Sequence, residues 1–140
     1  MSKTYFIDLE IDACHSTETI KKILQEGESL GCTYFLPNFF EVDPSTLQKL
    51  SVGEATNIIA LGKKVSDDMI QFIVIKKMNT FFYLFILPTP LHTEISITHF
   101  LYPLLRNFDD DEDIDIAHYI KILLDISRKF KVLNLNVYKK

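Results

Sequence analysis

Tryptophan is absent from this chain of 140 residues, and cysteine, glycine and proline are scarce. The two cysteines, Cys14 and Cys32, are too few for the disulfide framework of a small secreted protein, so we expect reduced thiols and a cytoplasmic location. The four glycines are scattered and form no loop that could cradle a phosphate. With five prolines and no Gly- or Ser-rich linker, residues 1–140 are predicted to form a single domain.

Long hydrophobic runs and a general excess of positive charge are missing as well. The apolar run at residues 81–87 is far too short to cross a bilayer. An acid enters too early in residues 1–8 for these to be a signal peptide. The net charge is −4 at pH 7, and the Lys-Lys pairs at 63–64 and 76–77 are too small to form a basic stripe. We therefore expect neither membrane insertion nor nucleic-acid binding.

The chain does have enough apolar material for a folded core. Hydrophobic residues make up 47% of it and charged residues 24%, which is ordinary for a globular domain. Phenylalanine alone contributes 11 residues, so aromatic packing should dominate the interior. A chain of this length can bury a sizeable core without disulfides or metals.

Several segments show the periodicity of strands. Residues 5–12 alternate between apolar and mostly acidic side chains, which predicts a strand with one buried face and one acidic face. A tight turn at 77–79 separates two of the strongest strand patterns and predicts a hairpin. Residues 100–108 fit neither a helix nor a strand pattern. The further strands are predicted at residues 33–36, 57–61, 69–76, 80–87, 92–99 and 132–138.

Three segments show helix signals. Ser16 or Thr17 is placed to cap a first helix, and Gly31 is placed to end it. Residues 43–50 begin with Asp-Pro, which favours a short helix. The most helical pattern extends over residues 112–130 and is apolar around most of its circumference.

Together these elements predict an α+β fold: a mainly antiparallel sheet of about five or six strands with two main helices packed on it. The strand at residues 81–87 is apolar at every position, so both of its faces must be covered, by helices or by a partner chain. The final helix must likewise pack against the sheet and against a second surface. That surface is either the first helix or a second subunit, so a homodimer is one arrangement that the sequence favours.

A concentrated run of acids precedes the final helix. Residues 109–115 place six acids in seven positions, and without them 13 acids remain against 15 bases, a balance of about +2. The acidity of the chain is therefore local, and a local field can attract a basic partner. The predicted partner-binding residues are Asp109, Asp110, Asp111, Glu112, Asp113 and Asp115.

Calcium binding and helix capping are the two roles that the acidic run could have without a partner. An EF-hand calcium loop needs Gly at its sixth position and Glu at its twelfth, but both possible frames have isoleucine there. Acids at a helix start also complement the helix dipole, each contributing about 0.3–1 kcal/mol. Two or three acids would satisfy that need, so the excess is what motivates a binding hypothesis. We expect no bound metal and no cofactor.

Several further residues carry a weaker signal for chemistry. His15, His92, His99 and His118 have no zinc-ligand spacing. Cys14 precedes a helix start, where a thiol can be activated as a nucleophile. Paired carboxylates for acid–base work or a metal could come from one strand face, at Asp8, Glu10 and Asp12. A metal-dependent or thiol enzyme of unfamiliar type therefore stays open as an alternative.

The profile as a whole predicts a non-catalytic protein-binding module that docks a basic partner through an acidic surface. In general type, rather than by any residue motif, such a small, acidic α+β chain resembles bacterial immunity proteins. That resemblance implies a cognate toxin as the partner. Small acidic secretion chaperones resemble it equally, and the structural subunit of a homo-oligomer is a further alternative.

Overall fold

The computed structural model describes residues 4–37, 47–65, 67–78, 80–88, 93–100 and 116–139. Within them the chain forms three helices and nine strands. In chain order these are β1 (Thr4–Asp12), α1 (Thr17–Ser29), β2 (Thr33–Phe35), β3 (Lys49–Leu50), α2 (Val52–Leu61), β4 (Lys63–Val65), β5 (Asp68–Ile70), β6 (Ile73–Lys77), β7 (Thr80–Pro88), β8 (Thr93–Phe100), α3 (Ile116–Ile126) and β9 (Lys131–Lys139).

Seven of the strands form one antiparallel sheet in the order β3-β2-β6-β7-β8-β1-β9, and β4 pairs with β5 in a separate ribbon. The predicted α+β fold with an antiparallel sheet is confirmed, and the sheet is somewhat larger than the five or six strands expected. The predicted hairpin is confirmed too, because β6 pairs with β7 and brings Lys77 opposite Thr80. Its turn contains Met78 at φ 56°, in the left-handed region.

The helices pack on one face of this sheet. Apolar rows cross that face from strand to strand, and one row places Leu84, Ile97, Ile7 and Val137 opposite one another. Ile7 and Leu84 are buried there against residues of α1 and α3. The all-apolar strand β7 lies in the middle of the sheet, so β6 and β8 satisfy its backbone and the helices cover one of its faces.

The first helix begins and ends as its sequence signals indicate. The backbone N–H of Thr19 donates to Oγ of Ser16 at 3.1 Å, so Ser16 is the N-cap. Gly31 follows the helix with φ +95°, a conformation that glycine adopts without strain. Ile20, Ile23 and Leu24 form the buried face.

The strand predicted at residues 57–61 is wrong, because these residues belong to α2. The side chains and backbones of Ser51 and Glu54 form a capping box, with both hydrogen bonds at 3.1 Å. The backbone hydrogen bond from Ser51 also lowers the pKa of the Glu54 carboxyl. Ile58 and Ile59, which suggested a strand, are buried one helical turn after the buried Ala55.

Two further predicted boundaries differ from the structure. The short helix expected to reach residue 50 does not do so, because Lys49 and Leu50 pair with β2 as strand β3, and its start at residues 43–44 lies outside the described residues. The single strand expected at residues 69–76 is divided between β5 and β6. Phe72 sits in the break and packs against Phe85 instead of extending a ladder.

The final helix is confirmed over Ile116–Ile126, and its predicted beginning at residue 112 lies outside the described residues. Its buried face consists of Tyr119, Ile122, Leu123 and Ile126. Leu124 is exposed, so part of the apolar circumference predicted for this helix faces solvent. This apolar helix is covered by the sheet and by α1, without any need for a second subunit.

A close contact between α1 and β2 positions the helix layer on the sheet. The hydroxyl of Tyr34 on β2 donates to the carbonyl oxygen of Leu24 in α1 at 2.5 Å. Gly27 makes room for it, since a Cβ there would collide with Oη of Tyr34. Burial raises the pKa of Tyr34 well above its ordinary value, so the hydroxyl stays a donor.

Gly27→Ala should destabilise the protein although alanine is the better helix former. Overpacking costs about 1–3 kcal/mol and outweighs the gain of roughly 1 kcal/mol in helix propensity. Urea unfolding measures the difference. Gly53→Ala is the matched control, because the nearest heavy atom to a Cβ there is Oγ of Ser51 at 3.9 Å.

Gly27→Ala should lower the free energy of unfolding much less in a Tyr34→Phe background, because the oxygen that collides with the new Cβ is then absent. Tyr34→Phe by itself removes one buried hydrogen bond, which is worth about 1 kcal/mol. If Gly27→Ala lowered the free energy of unfolding equally with Tyr34 and with Phe at position 34, the hydroxyl would not be what requires glycine.

Candidate functional site

The acidic run at residues 109–115, which the sequence predicts to bind a partner, lies outside the described residues, and so does His92. The structure does describe the acidic face predicted for the first strand. Asp8, Glu10 and Asp12 occupy alternate positions of β1, opposite in direction to the buried Ile7, Leu9 and Ile11. Asp12 is exposed, whereas Asp8 and Glu10 are half-buried.

This acidic row lies on the sheet face that carries none of the described helices. Neighbouring strands extend it by register: Glu94 on β8 lies opposite Glu10, and Asn134 on β9 lies opposite it on the other side. Lys131 lies opposite Asp12 at the end of the row. The acidic row therefore follows β1, and by register β9 places Asn136, Asn134 and Lys131 beside it.

Aromatic side chains occupy the other part of the same face. Phe72 stacks on Phe85 with ring centroids 4.5 Å apart and meets Tyr83 edge-on at 5.3 Å. Val74 and Leu47 complete a small cluster that is separate from the main core. Burial raises the pKa of Tyr83, so its hydroxyl stays protonated across the physiological range. The face thus combines an aromatic half with an acidic half.

Two of the histidines, His15 and His118, make structural contacts. Nε2 of His15 lies 3.2 Å from the carbonyl oxygen of Ile86, which ties the start of α1 to the end of β7. Nε2 of His118 lies 3.1 Å from Oγ1 of Thr80. Both rings therefore contact neighbouring elements.

The two cysteines are free thiols in different environments. Cys14 is exposed ahead of α1, whereas Cys32 is buried. Burial raises the pKa of the Cys32 thiol, which disfavours the reactive thiolate. Among the residues that the structure describes, no three His, Cys, Asp or Glu side chains are grouped as metal ligands would be.

One open pocket of about 270 Å³ lies beside α2 and includes Glu54 and Lys63 in its lining. Glu54 already accepts the backbone N–H of Ser51 within the capping box. The pocket contains no residue that the sequence singled out, and its carboxylate has a structural role.

A buried carboxylate that the sequence did not reveal joins α1 to the end of α3. Glu26 is buried, and Nη2 of Arg128 lies 2.5 Å from its Oε1 while Nζ of Lys129 lies 3.4 Å from its Oε2. Arg128 meets Oε1 as an ion pair rather than as an aligned hydrogen bond. The helical spacing of Glu26 with Ile23 was the signal that could have located it on the inner face.

Replacing both cations, in Arg128→Ala with Lys129→Ala, should destabilise the protein by about 1–3 kcal/mol, because a buried carboxylate loses its charged partners. Adding Glu26→Gln should recover part of that loss, since a neutral amide has a smaller desolvation penalty than a carboxylate. Chemical denaturation measures the free energy of unfolding of the double and the triple variant.

Lys121→Ala, on α3 itself, is the control. Its ammonium pairs with Asp125 at 3.0 Å on an exposed surface, where such pairs contribute less than about 1 kcal/mol. A loss in the Arg128 and Lys129 variant no larger than in the control would mean that the buried pair is not stabilising.

The part of the chain that the structure describes contains no helix long and apolar enough to cross a membrane. No family model, no curated protein and no solved structure matches the chain. What the protein does must therefore be argued from its own residues.

Proposed function

We propose that this protein is a non-catalytic binding module that docks a basic partner protein through an acidic surface. The observation that supports it is the row of Asp8, Glu10 and Asp12, on a sheet face that no described helix covers. Carboxylates gathered on one face create a negative potential that attracts a positively charged surface and orients it during encounter.

The aromatic half of the same face adds to this argument. Phe85 and Phe72 are half-buried rather than fully enclosed, so part of each ring remains accessible. Aromatic residues are enriched at the centres of protein interfaces, and charged residues at their rims. A partner could therefore find apolar contact beside the charges that attract it.

The acidic run at residues 109–115 supports the proposal from the sequence. It holds six of the 19 acids of the chain, a local density beyond what a helix start requires. Charges in such a run act over roughly 8 Å at physiological salt, so they speed association with a basic partner. In our proposal Asp109, Asp110, Asp111, Glu112, Asp113 and Asp115 take part in docking.

The most concrete form of this function is an immunity protein that neutralises a cognate bacterial toxin. Basic toxins such as nucleases are the class of partner that an acidic inhibitor suits electrostatically. We place this activity in the cytoplasm, where the two cysteines would stay reduced. A reading frame for a basic toxin beside the gene would favour this form of the proposal.

Neutralising the β1 row, with Asp8→Asn, Glu10→Gln and Asp12→Asn, should weaken partner binding at least tenfold, which corresponds to about 1.4 kcal/mol. The measurement is capture of basic proteins from the native host at low and high salt, followed by titration of the captured protein. Thermal unfolding must first show that the variant is folded.

The matched control neutralises three exposed acids elsewhere, so that the change in net charge is the same. Binding should survive in the control. Binding that falls equally in both variants would reflect net charge alone and would contradict a role for the β1 row. The control substitutions are Glu18→Gln, Asp67→Asn and Asp68→Asn.

A separate variant tests the acidic run. Asp109, Asp110, Asp111 and Asp113 are changed together to asparagine, and the association rate should fall and lose most of its salt dependence. Stopped-flow mixing with the captured partner measures the rate. An unchanged rate at low salt would remove the run from the docking mechanism.

A further inference from the structure

The strand β9 forms one edge of the large sheet and is exposed over residues 131–137. β9 pairs with β1 on one side, and among the described residues no strand pairs with its other side. Every residue from 131 to 137 is exposed. Four apolar side chains show 36–43% of their surface: Val132, Leu133, Leu135 and Val137.

The apolar rows of the helix-bearing face continue onto β9, but the helices do not. Leu135 lies opposite Leu9, and Val137 lies opposite Ile7. Leu9 is 0% exposed and Ile7 is 2% exposed, whereas their partners on β9 are over a third exposed. The cover supplied by α1 and α3 therefore ends between β1 and β9, and two apolar rows stop at an uncovered edge.

The backbone of this edge is available to another strand. The N–H of Leu135 donates to Oδ1 of Asn134, its neighbour on the same strand, at 3.0 Å. An amide side chain can release such a local bond in exchange for a strand carbonyl. Long exposed edges with apolar side chains are templates for strand pairing.

We propose that β9 pairs antiparallel with β9 of a second copy of this chain, about a two-fold axis through Asn136. Leu135 of each copy then lies opposite Val137 of the other. The interrupted rows join, so that Ile7 and Val137 of one copy continue into Leu135 and Leu9 of the second. The two seven-stranded sheets become one continuous sheet.

The pleat and the register shift of β9 select this register. Opposed residues must share a sheet face, so the axis has to keep Leu135 and Val137 on the helix-bearing side. An axis through Leu135 would oppose Lys131 to Lys139, although the register shift between Val132 and Asn134 leaves these two positions on different faces. An axis through Val137 would pair only residues 135–139 of β9. Centring on Asn136 pairs residues 133–139, a longer ladder that stops before Val132.

The size of the interface sets the expected affinity. Two paired strands with their flanking side chains fall near or below the low end of specific interfaces, roughly 1,200 Å² in total. A dissociation constant in the micromolar range is therefore expected, about 8 kcal/mol of binding free energy at 1 μM. The dimer should be visible at high micromolar concentration and dissociate on dilution.

Analytical ultracentrifugation of the full chain over a thousandfold concentration range tests the association. The natural sequence should change from monomer to dimer. Leu135→Lys with Val137→Lys should remain monomeric, because it places charges in the joined rows. Leu61→Lys with Met78→Lys is the matched control, since both side chains are about three-quarters exposed at 75% and 76%, and it should dimerise normally.

A cysteine pair tests the register independently of stability. In a Cys14→Ser background, Asn136→Cys should form a disulfide with its copy under mild oxidation, because opposed residues have Cα atoms about 4.5–5.5 Å apart. Asn134→Cys should not, since the two copies of that residue would be displaced by four positions, roughly 13 Å.

Monomeric behaviour of the natural chain at several hundred micromolar would overturn the proposal, and so would crosslinking through position 134 instead of 136. This association does not depend on the acidic docking surface. The β1-row variant should therefore still dimerise, and the β9 variant should still bind a basic partner.

Discussion

The contact between Tyr34 and the backbone of α1 fixes how the helix layer sits on the sheet. Its hydroxyl reaches the carbonyl oxygen of Leu24 only because Gly27 has no side chain. The same turn of α1 carries Glu26, whose carboxylate meets the cations that follow α3. Two polar interactions, a buried hydrogen bond and an ion pair, thus hold α1 against β2 on one side and against the end of α3 on the other.

Once the helix layer is held there, the surface of the sheet divides into three parts. One face is covered by helices over the strands from β3 to β1. The opposite face carries the β1 acids and the aromatic cluster around Phe72. The β9 edge lies beyond the helices altogether. The two proposals concern different parts: a basic partner on the acidic face, and a second copy at the edge.

Local patterns predicted much of the fold correctly because they report on burial and caps within one segment. Alternation identified β1 and β9, and Ser16 and Gly31 located the ends of α1. The strand expected at residues 57–61 was wrong because a short apolar run is compatible with either a strand or a helix. The Ser51–Glu54 capping box was the local signal that distinguished them. The acidic row of the candidate site was predicted, but the sheet face it occupies was not.

The sequence by itself determined the α+β class, the local character of the negative charge and the alternation that separates acids from core on β1. Only the tertiary structure decided that β7 is central and β9 is an edge, that Glu26 is enclosed, and that the helices stop short of Leu135. These features depend on which distant segments become neighbours. Periodicity describes which side of an element prefers an apolar environment, but what covers that side is set by strand order and helix placement.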